Sequence, residues 1–316
     1  MKILVTGASG FVGQHLLRDL SSHSVVGTAH RGAKEKLRPL EISDAAAVGD
    51  LVRETRFEVC FHLAGIASVD VFTENPQGSF RVNTEGWLNV LEAFKKFAPG
   101  ALMVLVSSAQ VYGNVSAGAL PITEDASLKP ENVYSVSKCT CEWLAKSYWE
   151  NFGLRVLILR PFNHAGPGQS ASFVCSSLAK QIAQIEAGLT EPVIRAGNLA
   201  SRRDFTDVRD ITRAYAMAID RCKEGIPYNI CSGRAVAIEE ILERLLKLAG
   251  IAKRVKIESV HKRDSDPEVF YGNYEKFGQA TGWAPQIPLE KTLQDTLDFW
   301  REQVRSKKGA STRAPV

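Results

Sequence analysis

The chain has 316 residues, of which 45% are hydrophobic and 23% are charged, and its formal net charge at pH 7 is +4. This composition is typical of a globular protein with one large or two modest domains, and no apolar run approaches the roughly 20 residues that a membrane-spanning helix needs. The positive charge is small and scattered, so we expect neither a membrane nor a nucleic acid as a partner.

The first half of the chain alternates short apolar runs with stretches of helical periodicity. The apolar runs predict buried strands at residues 2–6, 24–29, 59–63, 102–107 and 155–159. Helices are predicted at 86–97 and 137–152, which have helical periodicity. Strands that alternate with helices indicate a Rossmann-type α/β fold, a doubly wound parallel sheet that binds ligands at the carboxyl ends of its strands.

The pattern changes after Arg160, where Pro- and Gly-rich segments begin. Helices are predicted at 172–188, 211–222 and 238–249, and 228–233 predicts one more strand and turn. We therefore expect a smaller mixed α/β region, built from the C-terminal half of the chain, that binds the substrate.

The predicted domain boundaries follow these changes. We place a dinucleotide-binding domain in residues 1–163 with 204–232. The substrate-binding domain takes residues 164–203 with 233–302. The last residues, 303–316, are polar and aperiodic, so we expect a disordered tail.

Three glycines at three-residue spacing, Gly7, Gly10 and Gly13, follow the first predicted strand directly. In such a strand-turn-helix, backbone N–H groups at the helix N-terminus face an anion, and the missing side chains let a pyrophosphate approach. A tight turn without a ligand would also use glycine, but the flanking strand and helix favour dinucleotide binding. We assign Phe11 and Val12, between the last two glycines, to the same cofactor site.

The residues after the second strand, Thr28, Ala29, His30 and Arg31, include no carboxylate. An acid there would bind the ribose 2′-hydroxyl of NAD, whereas an arginine can form a charge-assisted pair with the 2′-phosphate of NADP. The alternative is that Arg31 is a solvated loop residue. We expect NADPH as the cofactor, with NADH as a second choice.

Tyr134 and Lys138 are four residues apart, which places them on one face of a helix. An ammonium group beside a phenol favours the phenolate, so the pair is suited to general acid or base catalysis. Ser108 follows the strand predicted at 102–107, where its hydroxyl can bind a substrate oxygen. Tyrosine and lysine are common on helix surfaces, and the pair indicates catalysis only together with the glycine turn and the serine.

The cysteines give no sign of a metal site or of a disulfide framework. The six cysteines have no paired C-x-x-C spacing and no histidines at zinc-like intervals. We therefore expect free thiols in a reducing compartment and no bound metal. The first residues lack the charged and apolar regions of a secretory signal, so a cytoplasmic protein is expected.

Together these motifs resemble the extended short-chain dehydrogenase/reductases that act on nucleotide-activated sugars. The stretches that carry the resemblance are HLAG at 62–65, VNTEGWLNVLEA at 82–93, SSAQVYG at 107–113, YSVSK at 134–138 and RPFNHAGPG at 160–168. The resemblance implies a catalytic triad of Ser108, Tyr134 and Lys138, in which Lys138 also binds the nicotinamide ribose. It also implies cofactor contacts from Glu41, which replaces the usual aspartate beside the adenine, and from Ile42, Leu63, Ala64, Gly65, Asn83, Tyr134 and Pro161. By the same resemblance, Asn83 helps to organise the site.

Two positions after Ser108 bear on the reaction. Dehydratases of the family carry two acidic residues there, one to donate a proton and one to abstract it, but this chain has Ala109 and Gln110. The resemblance therefore leaves reduction or 4-epimerisation of a sugar. A third alternative, a sensor or scaffold that binds NADP without catalysis, is disfavoured by the intact serine, tyrosine and lysine.

The second half of the chain is similar to family members that reduce the 4-keto group of a GDP-linked 6-deoxy sugar. This similarity implies that such a sugar is the substrate. The implied substrate contacts are Ser108, Ala109, Gln110, Asn163 and Arg203. The Arg203 guanidinium is suited to the diphosphate.

Three further substrate contacts and the assembly follow from the same resemblance. His164 is either close to the sugar or the diphosphate, or it is a structural histidine hydrogen-bonded to the backbone. Lys262 or Arg263 would replace an arginine that contacts phosphate in relatives.

Relatives commonly pair through helices like those at 86–97 and 137–152, so we expect a homodimer.

Overall fold

A computed structural model describes residues 1–30, 36–260 and 267–311 of the chain, with side chains as far as residue 306. The predictions for Arg31, Lys262 and Arg263 lie outside the described residues. The strands are β1 Lys2–Thr6, β2 Ser24–Ala29, β3 Arg38–Pro39, β4 Val59–His62, β5 Leu102–Val106, β6 Arg155–Pro161, β7 Asn163–Ala165, β8 Val193–Ala196, β9 Arg202–Asp207, β10 Pro227–Ile230, β11 Ala235–Ala237, β12 Lys256–Ser259 and β13 Val269–Phe270. The helices are α1 Phe11–Asp19, α2 Ala45–Thr55, α3 Val69–Glu74, α4 Pro76–Phe97, α5 Val133–Phe152, α6 Val174–Glu186, α7 Val208–Arg221, α8 Ile238–Ala249, α9 Glu275–Thr281 and α10 Leu289–Ser311.

The larger sheet has seven parallel strands in the order β10, β6, β5, β4, β1, β2, β3. Helices cover both faces, which explains why its central strands are continuous apolar runs rather than alternating ones. From β1 the chain continues to β2 and β3 on one side of that strand, and it then crosses to the other side of β1 to form β4. The carboxyl ends of β1 and β4 therefore flank the crevice in which such folds bind ligands.

Each face of this sheet has its own apolar core. One face packs against α2, α4 and α5 around the fully buried Trp87 and Phe94. The other face packs against α1 and α7 around Phe61 and Tyr215. The Rossmann-type fold predicted from the alternation of strands and helices is confirmed.

The smaller region is centred on β9. This strand pairs in parallel with β7 and β13 and antiparallel with β11. Helices α6, α8 and α10 pack together around residues such as Leu178, Ile182 and Leu245, and β8 pairs with β12 in a separate two-stranded sheet. A mixed α/β region from the C-terminal half is therefore present, as the sequence predicts.

The structure differs from the predicted domain boundaries in three places. Residues 204–207 were placed in the dinucleotide-binding domain, but they belong to β9, which pairs with strands of the smaller region. Conversely, Phe277 and Trp283 lie in the core of the larger sheet. The tail predicted from 303 was wrong as far as Ser311, because α10 continues to that residue. Composition alone does not reveal such contacts.

Two helices begin earlier than their periodicity predicts. Helix α4 begins after Asn75, whose Oδ1 accepts a hydrogen bond from the Gly78 N–H at 3.1 Å. Helix α5 begins after Asn132, which forms a capping box with Ser135, so Tyr134 lies in its first turn. Among the described residues, no helix combines the length and the apolar character needed to cross a membrane.

Candidate active site

The glycine turn after β1 lies against the loop 63–65 after β4. Gly7 has a φ of +66°, and a Cβ on it would lie 2.7 Å from the backbone nitrogen of Ala64. A Cβ on Gly13 would lie 2.7 Å from the Gly7 carbonyl oxygen. The Ala64 N–H donates to Thr6 Oγ1 at 3.1 Å, which joins the ends of β1 and β4. The turn has no room for side chains, as a pyrophosphate-binding turn requires.

Helix α1 begins directly after Gly10. This N-cap provides no side-chain acceptor, and the first turn contains no acidic residue. The Gln14 N–H donates to the Gly10 carbonyl oxygen at 3.0 Å, so the N–H groups of Phe11 and Val12 precede the first bond of the helix. An anion is a suitable partner for such a helix start.

The end of β2 meets the loop after β3. His30 Nδ1 lies 2.6 Å from Glu41 Oε2, and the Ser43 hydroxyl donates to Glu41 Oε1 at 2.5 Å. Ile42 is buried, and its carbonyl oxygen accepts from Asn89 Nδ2 at 3.1 Å. Glu41, which was predicted to lie beside the adenine, thus holds the residue that follows β2.

Helix α5 presents Tyr134, Lys138 and Glu142 on one face, one on each successive turn. Lys138 Nζ donates to the carbonyl oxygen of the last residue of β5 at 3.0 Å. The Ser107 hydroxyl donates to Glu142 Oε1 at 2.5 Å. These two contacts attach the end of β5 to the helix, and Ser108 is the next residue of the chain.

Ser108 begins a short 3₁₀ turn, Ala109–Tyr112. Its Oγ accepts a hydrogen bond from the Gln110 N–H at 3.2 Å, so the hydroxyl can still donate its own proton to a substrate oxygen. Ala109 is buried, whereas Gln110 is exposed. Of these three consecutive residues, Ser108 is the one whose side chain offers a hydroxyl at the strand end.

Tyr134 is 7% exposed, and its ring packs edge-to-face against Phe72 with centroids 5.5 Å apart. The Ser137 hydroxyl donates to the Tyr134 carbonyl oxygen at 2.7 Å and accepts from Asn83 Nδ2 at 3.0 Å. Asn83 Oδ1 also accepts from the Ile66 N–H at 2.8 Å. Asn83 thus ties α4 to α5 and to the loop after β4, consistent with the organising role that the resemblance implies.

His62, the last residue of β4, is buried beneath this edge of the sheet. Its Nδ1 lies 3.0 Å from Thr6 Oγ1, and its ring packs on Trp87 with centroids 5.0 Å apart. Burial and the nearby charge of Lys138 lower the pKa of His62 to about 3. His62 is therefore neutral near pH 7 and adds no charge beside Lys138.

Three further predicted site residues lie on β6 and β7, namely the cofactor contact Pro161 and the substrate contacts Asn163 and His164. Pro161 ends β6 and Asn163 begins β7. His164 Nδ1 lies 2.9 Å from the Phe162 carbonyl oxygen, and its ring stacks on Phe11 with centroids 5.9 Å apart. Burial lowers the pKa of His164. This is the backbone bond that a structural histidine requires, and the stacking joins the smaller region to the glycine turn.

Arg203 lies on β9, opposite Phe270 of β13. Its Nη1 donates to the carbonyl oxygens of Arg202, at 3.1 Å, and Glu268, at 3.5 Å. Burial raises the pKa of the next residue, Asp204, to about 6, although hydrogen bonds from the turn after β10 oppose the shift. The smaller sheet, and not the edge of the larger one, thus determines where Arg203 lies.

A buried network at the edge of the larger sheet is not predicted from the sequence. Arg160 donates to both carboxylate oxygens of Glu142, with 2.6 Å between Nη2 and Oε2. Arg160 Nη1 donates to Tyr112 Oη at 2.8 Å, and Tyr112 donates to Asn229 Oδ1 at 2.7 Å. Two signals could have revealed it: Arg160 is a charge inside an apolar run, and Glu142 continues the four-residue spacing of the tyrosine and lysine.

Comparisons with known proteins agree with this geometry. A family model described as GDP-mannose 4,6 dehydratase matches residues 4–296. GDP-6-deoxy-D-mannose reductase of Pseudomonas aeruginosa is 34% identical over 310 residues, which cover 97% of this chain and 99% of that protein. UDP-glucose 4-epimerase of Corynebacterium glutamicum is 27% identical and covers 95% of each chain. The solved structure of RMD from Pseudomonas aeruginosa complexed with NADPH has a TM-score of 0.86 at 34% identity, over 96% of this chain and 99% of that one.

Proposed function

The chain belongs to the extended short-chain dehydrogenase/reductases of the GDP-mannose 4,6 dehydratase family, and from this premise we propose that it is a nucleotide-sugar reductase. The proposed reaction is the NADPH-dependent reduction of the 4-keto group of GDP-4-dehydro-6-deoxy-D-mannose to GDP-D-rhamnose. The observation that carries the proposal is the face of α5 on which Tyr134 and Lys138 lie, because Lys138 donates to the carbonyl oxygen at the end of β5 and Ser108 follows that strand end. The relative that is 34% identical over nearly the whole chain supports this substrate.

The turn after β1 and the loop after β4 together fit a dinucleotide. The close approaches at Gly7 and Gly13 exclude side chains from the turn, and the uncapped start of α1 offers N–H groups to a pyrophosphate. The loop 63–65 would line the cofactor, with Glu41 and Ile42 beside the adenine. The RMD structure that contains NADPH supports this cofactor, with NADH as the second choice. When bound, NADPH supplies the hydride that the C4 carbonyl carbon accepts.

The residues of the chain handle the carbonyl oxygen and the proton. Ser108 donates a hydrogen bond to the C4 oxygen as negative charge grows there. Tyr134 donates its phenolic proton to the same oxygen, and the ketone becomes a hydroxyl group. Lys138 stabilises the phenolate that remains and binds the nicotinamide ribose.

The residues proposed to contact the substrate support a reduction rather than the loss of water. Neither the buried Ala109 nor the exposed Gln110 supplies the carboxylate that elimination needs. We place the nucleotide-sugar against Asn163 and Arg203, with the Arg203 guanidinium on the diphosphate. His164, which is bonded to the backbone, acts as a structural residue.

A nucleotide-sugar 4-epimerase is the second candidate, favoured by the epimerase relative that is 27% identical over nearly the whole chain. The two candidates differ in what happens to the cofactor. A reductase consumes one reduced nicotinamide for each sugar, whereas a 4-epimerase returns its nicotinamide to the starting state and shows no net consumption.

The test is to mix the purified protein with NADPH and GDP-4-dehydro-6-deoxy-D-mannose and to follow the absorbance of the reduced nicotinamide. We expect the absorbance to fall in proportion to the sugar consumed, and faster with NADPH than with NADH. A changed sugar with constant absorbance would establish the epimerase instead. A clear preference for NADH would contradict the proposed cofactor.

We also propose that the chain forms a homodimer through α4 and α5. Leu88, Val136 and Trp143 on these helices are exposed, and Trp143 is 62% exposed. Burial of such residues in a symmetric interface is favourable. Light scattering should give twice the mass of the 34.7 kDa chain, and a monomer would contradict the proposal.

A further inference from the structure

We propose that Glu142 and Arg160 are positioning residues, which hold Ser107 and thereby fix the neighbouring Ser108 hydroxyl relative to the Tyr134 phenol. The inference rests on the proposed function, because that function gives Ser108 its role. It assigns a purpose to a buried network that proton transfer does not itself use.

Two neighbouring residues at the end of β5 bind two neighbouring turns of α5. Lys138 Nζ binds the last carbonyl oxygen of the strand at 3.0 Å, and Glu142 Oε1 accepts from the Ser107 hydroxyl at 2.5 Å. Both helix residues lie on the same face as Tyr134. A slide of the strand end along the helix would break both contacts. Together they set the position of Ser108 along the helix axis relative to Tyr134.

The orientation of the Glu142 carboxylate is fixed by its partners. Oε1 accepts from the Ser107 hydroxyl and from Arg160 Nε at 2.9 Å, and Oε2 accepts from Arg160 Nη2 at 2.6 Å. The side chains of Arg160 and Glu142 are only 5% and 6% exposed. A buried ion pair often contributes little net stability compared with apolar side chains of the same size. Its fixed geometry therefore explains its presence better than stability does.

Arg160 also holds the other end of the turn that Ser108 begins. Its Nη1 donates to Tyr112 Oη at 2.8 Å, and its guanidinium lies 4.9 Å from the centroid of that ring. Tyr112 is the last residue of the turn. The turn is therefore held on one side by Glu142 through Ser107 and on the other side by Arg160 through Tyr112.

A fixed hydroxyl matters because hydrogen bonds to a developing charge depend steeply on position. A misplacement of about 1 Å can lower a rate about 100-fold. Ser107→Ala removes one hydroxyl and leaves the Glu142 and Arg160 pair in place, so it frees the turn on one side only. We expect kcat to fall about tenfold, with the KM values for cofactor and sugar unchanged.

A double-mutant cycle with Ser107→Ala and Ser108→Ala tests whether one serine acts through the other. If it does, S107A lowers kcat about tenfold in the wild-type background and has no further effect in S108A. The matched control is Thr296→Val, which removes a buried hydroxyl that donates to the Thr292 carbonyl oxygen at 2.7 Å in α10. This control should keep its kcat. Equal losses in both backgrounds, or no loss in either, would overturn the proposal.

Hydrogen exchange of the NADPH-bound protein gives a readout that needs no substrate. The amides of residues 108–113 should exchange faster in Ser107→Ala and in Glu142→Gln than in the wild type, and Thr296→Val should leave them unchanged. Unchanged exchange in both network variants would show that the network does not hold the turn. If the wild type fails to reduce the keto-sugar, the proposed function fails, while this measurement still decides the positioning role.

Discussion

Two buried carboxylates lie beside residues to which we assign a function. The surroundings of the two carboxylates differ. Glu142 lies at the edge of the larger sheet and pairs with Arg160. Asp204 lies in the smaller sheet, next to Arg203, and accepts hydrogen bonds from neutral groups. These groups are the N–H and hydroxyl of Ser232 and the N–H groups of Gly233 and Gly272. The first charge is neutralised by a cation, and the second is stabilised by dipoles.

This difference separates the responses of the two regions to pH. Burial lowers the pKa of Arg160, but the hydrogen bonds and charge of Glu142 outweigh this effect and hold that pKa above its usual value. Burial raises the pKa of Asp204 to about 6. The edge of the larger sheet therefore keeps its arginine charged at any working pH, whereas the smaller sheet changes charge in mildly acidic solution.

The largest expected effect is on kcat and concerns a residue at the edge of the larger sheet. Tyr134→Phe removes the proton donor and keeps the ring that packs on Phe72. We expect kcat to fall about 10²–10⁴-fold while the affinity for NADPH is unchanged. Steady-state kinetics and a fluorescence titration with NADPH measure the two quantities.

The matched control for this change is Tyr148→Phe, which removes another phenol of the same helix. Tyr148 donates to Glu92 on α4, away from the strand ends, so its loss should leave kcat unchanged. Near wild-type turnover in the Tyr134→Phe protein would remove Tyr134 from the mechanism.

The next effect is the change with pH in the free energy of unfolding, which Asp204 in the smaller sheet causes. Its pKa of about 6 in the folded chain lies above the usual 3.8, so the folded state binds the proton more tightly than the unfolded state does. The proton on Asp204 therefore stabilises the folded state fully below about pH 4, and this stabilisation is lost as the pH rises through about 6. Relative to Asp204→Asn, the free energy of unfolding should fall by up to about 3 kcal/mol across this window.

Denaturant titrations of the wild type and of Asp204→Asn at several pH values measure this trend. Asp44→Asn, at an exposed helix cap, controls for the loss of a carboxylate. A difference between wild type and Asp204→Asn that stays flat, or that rises with pH, would contradict our contrast between the two carboxylates.

The smallest expected effect concerns binding. Arg203→Ala removes the proposed partner of the diphosphate, and a hydrogen bond to a charged group contributes about 1.5–3 kcal/mol, so the KM for the nucleotide-sugar should rise about tenfold or more. The value of kcat should not change. Arg202→Ala is the control, because that guanidinium donates to the Ala235 carbonyl oxygen at 3.1 Å. A loss of kcat without a change in KM would place Arg203 in the chemistry instead.

The edge of the larger sheet could be predicted from the sequence because its signals are local. The glycine spacing after β1 and the four-residue spacing of Tyr134 and Lys138 each lie within one turn and one helix. The apolar runs predict the central strands because both faces of a covered parallel sheet are buried. These features need no knowledge of which segments meet.

The remaining features depend on contacts between distant segments. Arg160 and Glu142 lie on different elements, and only the fold shows that they share a buried site. β9 was not predicted, because its polar residues show no strand pattern until β7, β11 and β13 pair with it. Asp204 looks like a surface residue in the sequence and is buried in the fold. Long-range pairing, rather than local preference, determines these positions.

The most direct test of the central claim uses NADPH that carries deuterium at the transferred position. We claim that C4 of the sugar receives the hydride while Tyr134 provides the proton for the oxygen. NMR of the product should show one deuterium at C4 for each cofactor oxidised by the wild type, and almost none with Tyr134→Phe in the same time. A product without deuterium at C4, or equal labelling by both proteins, would contradict the account.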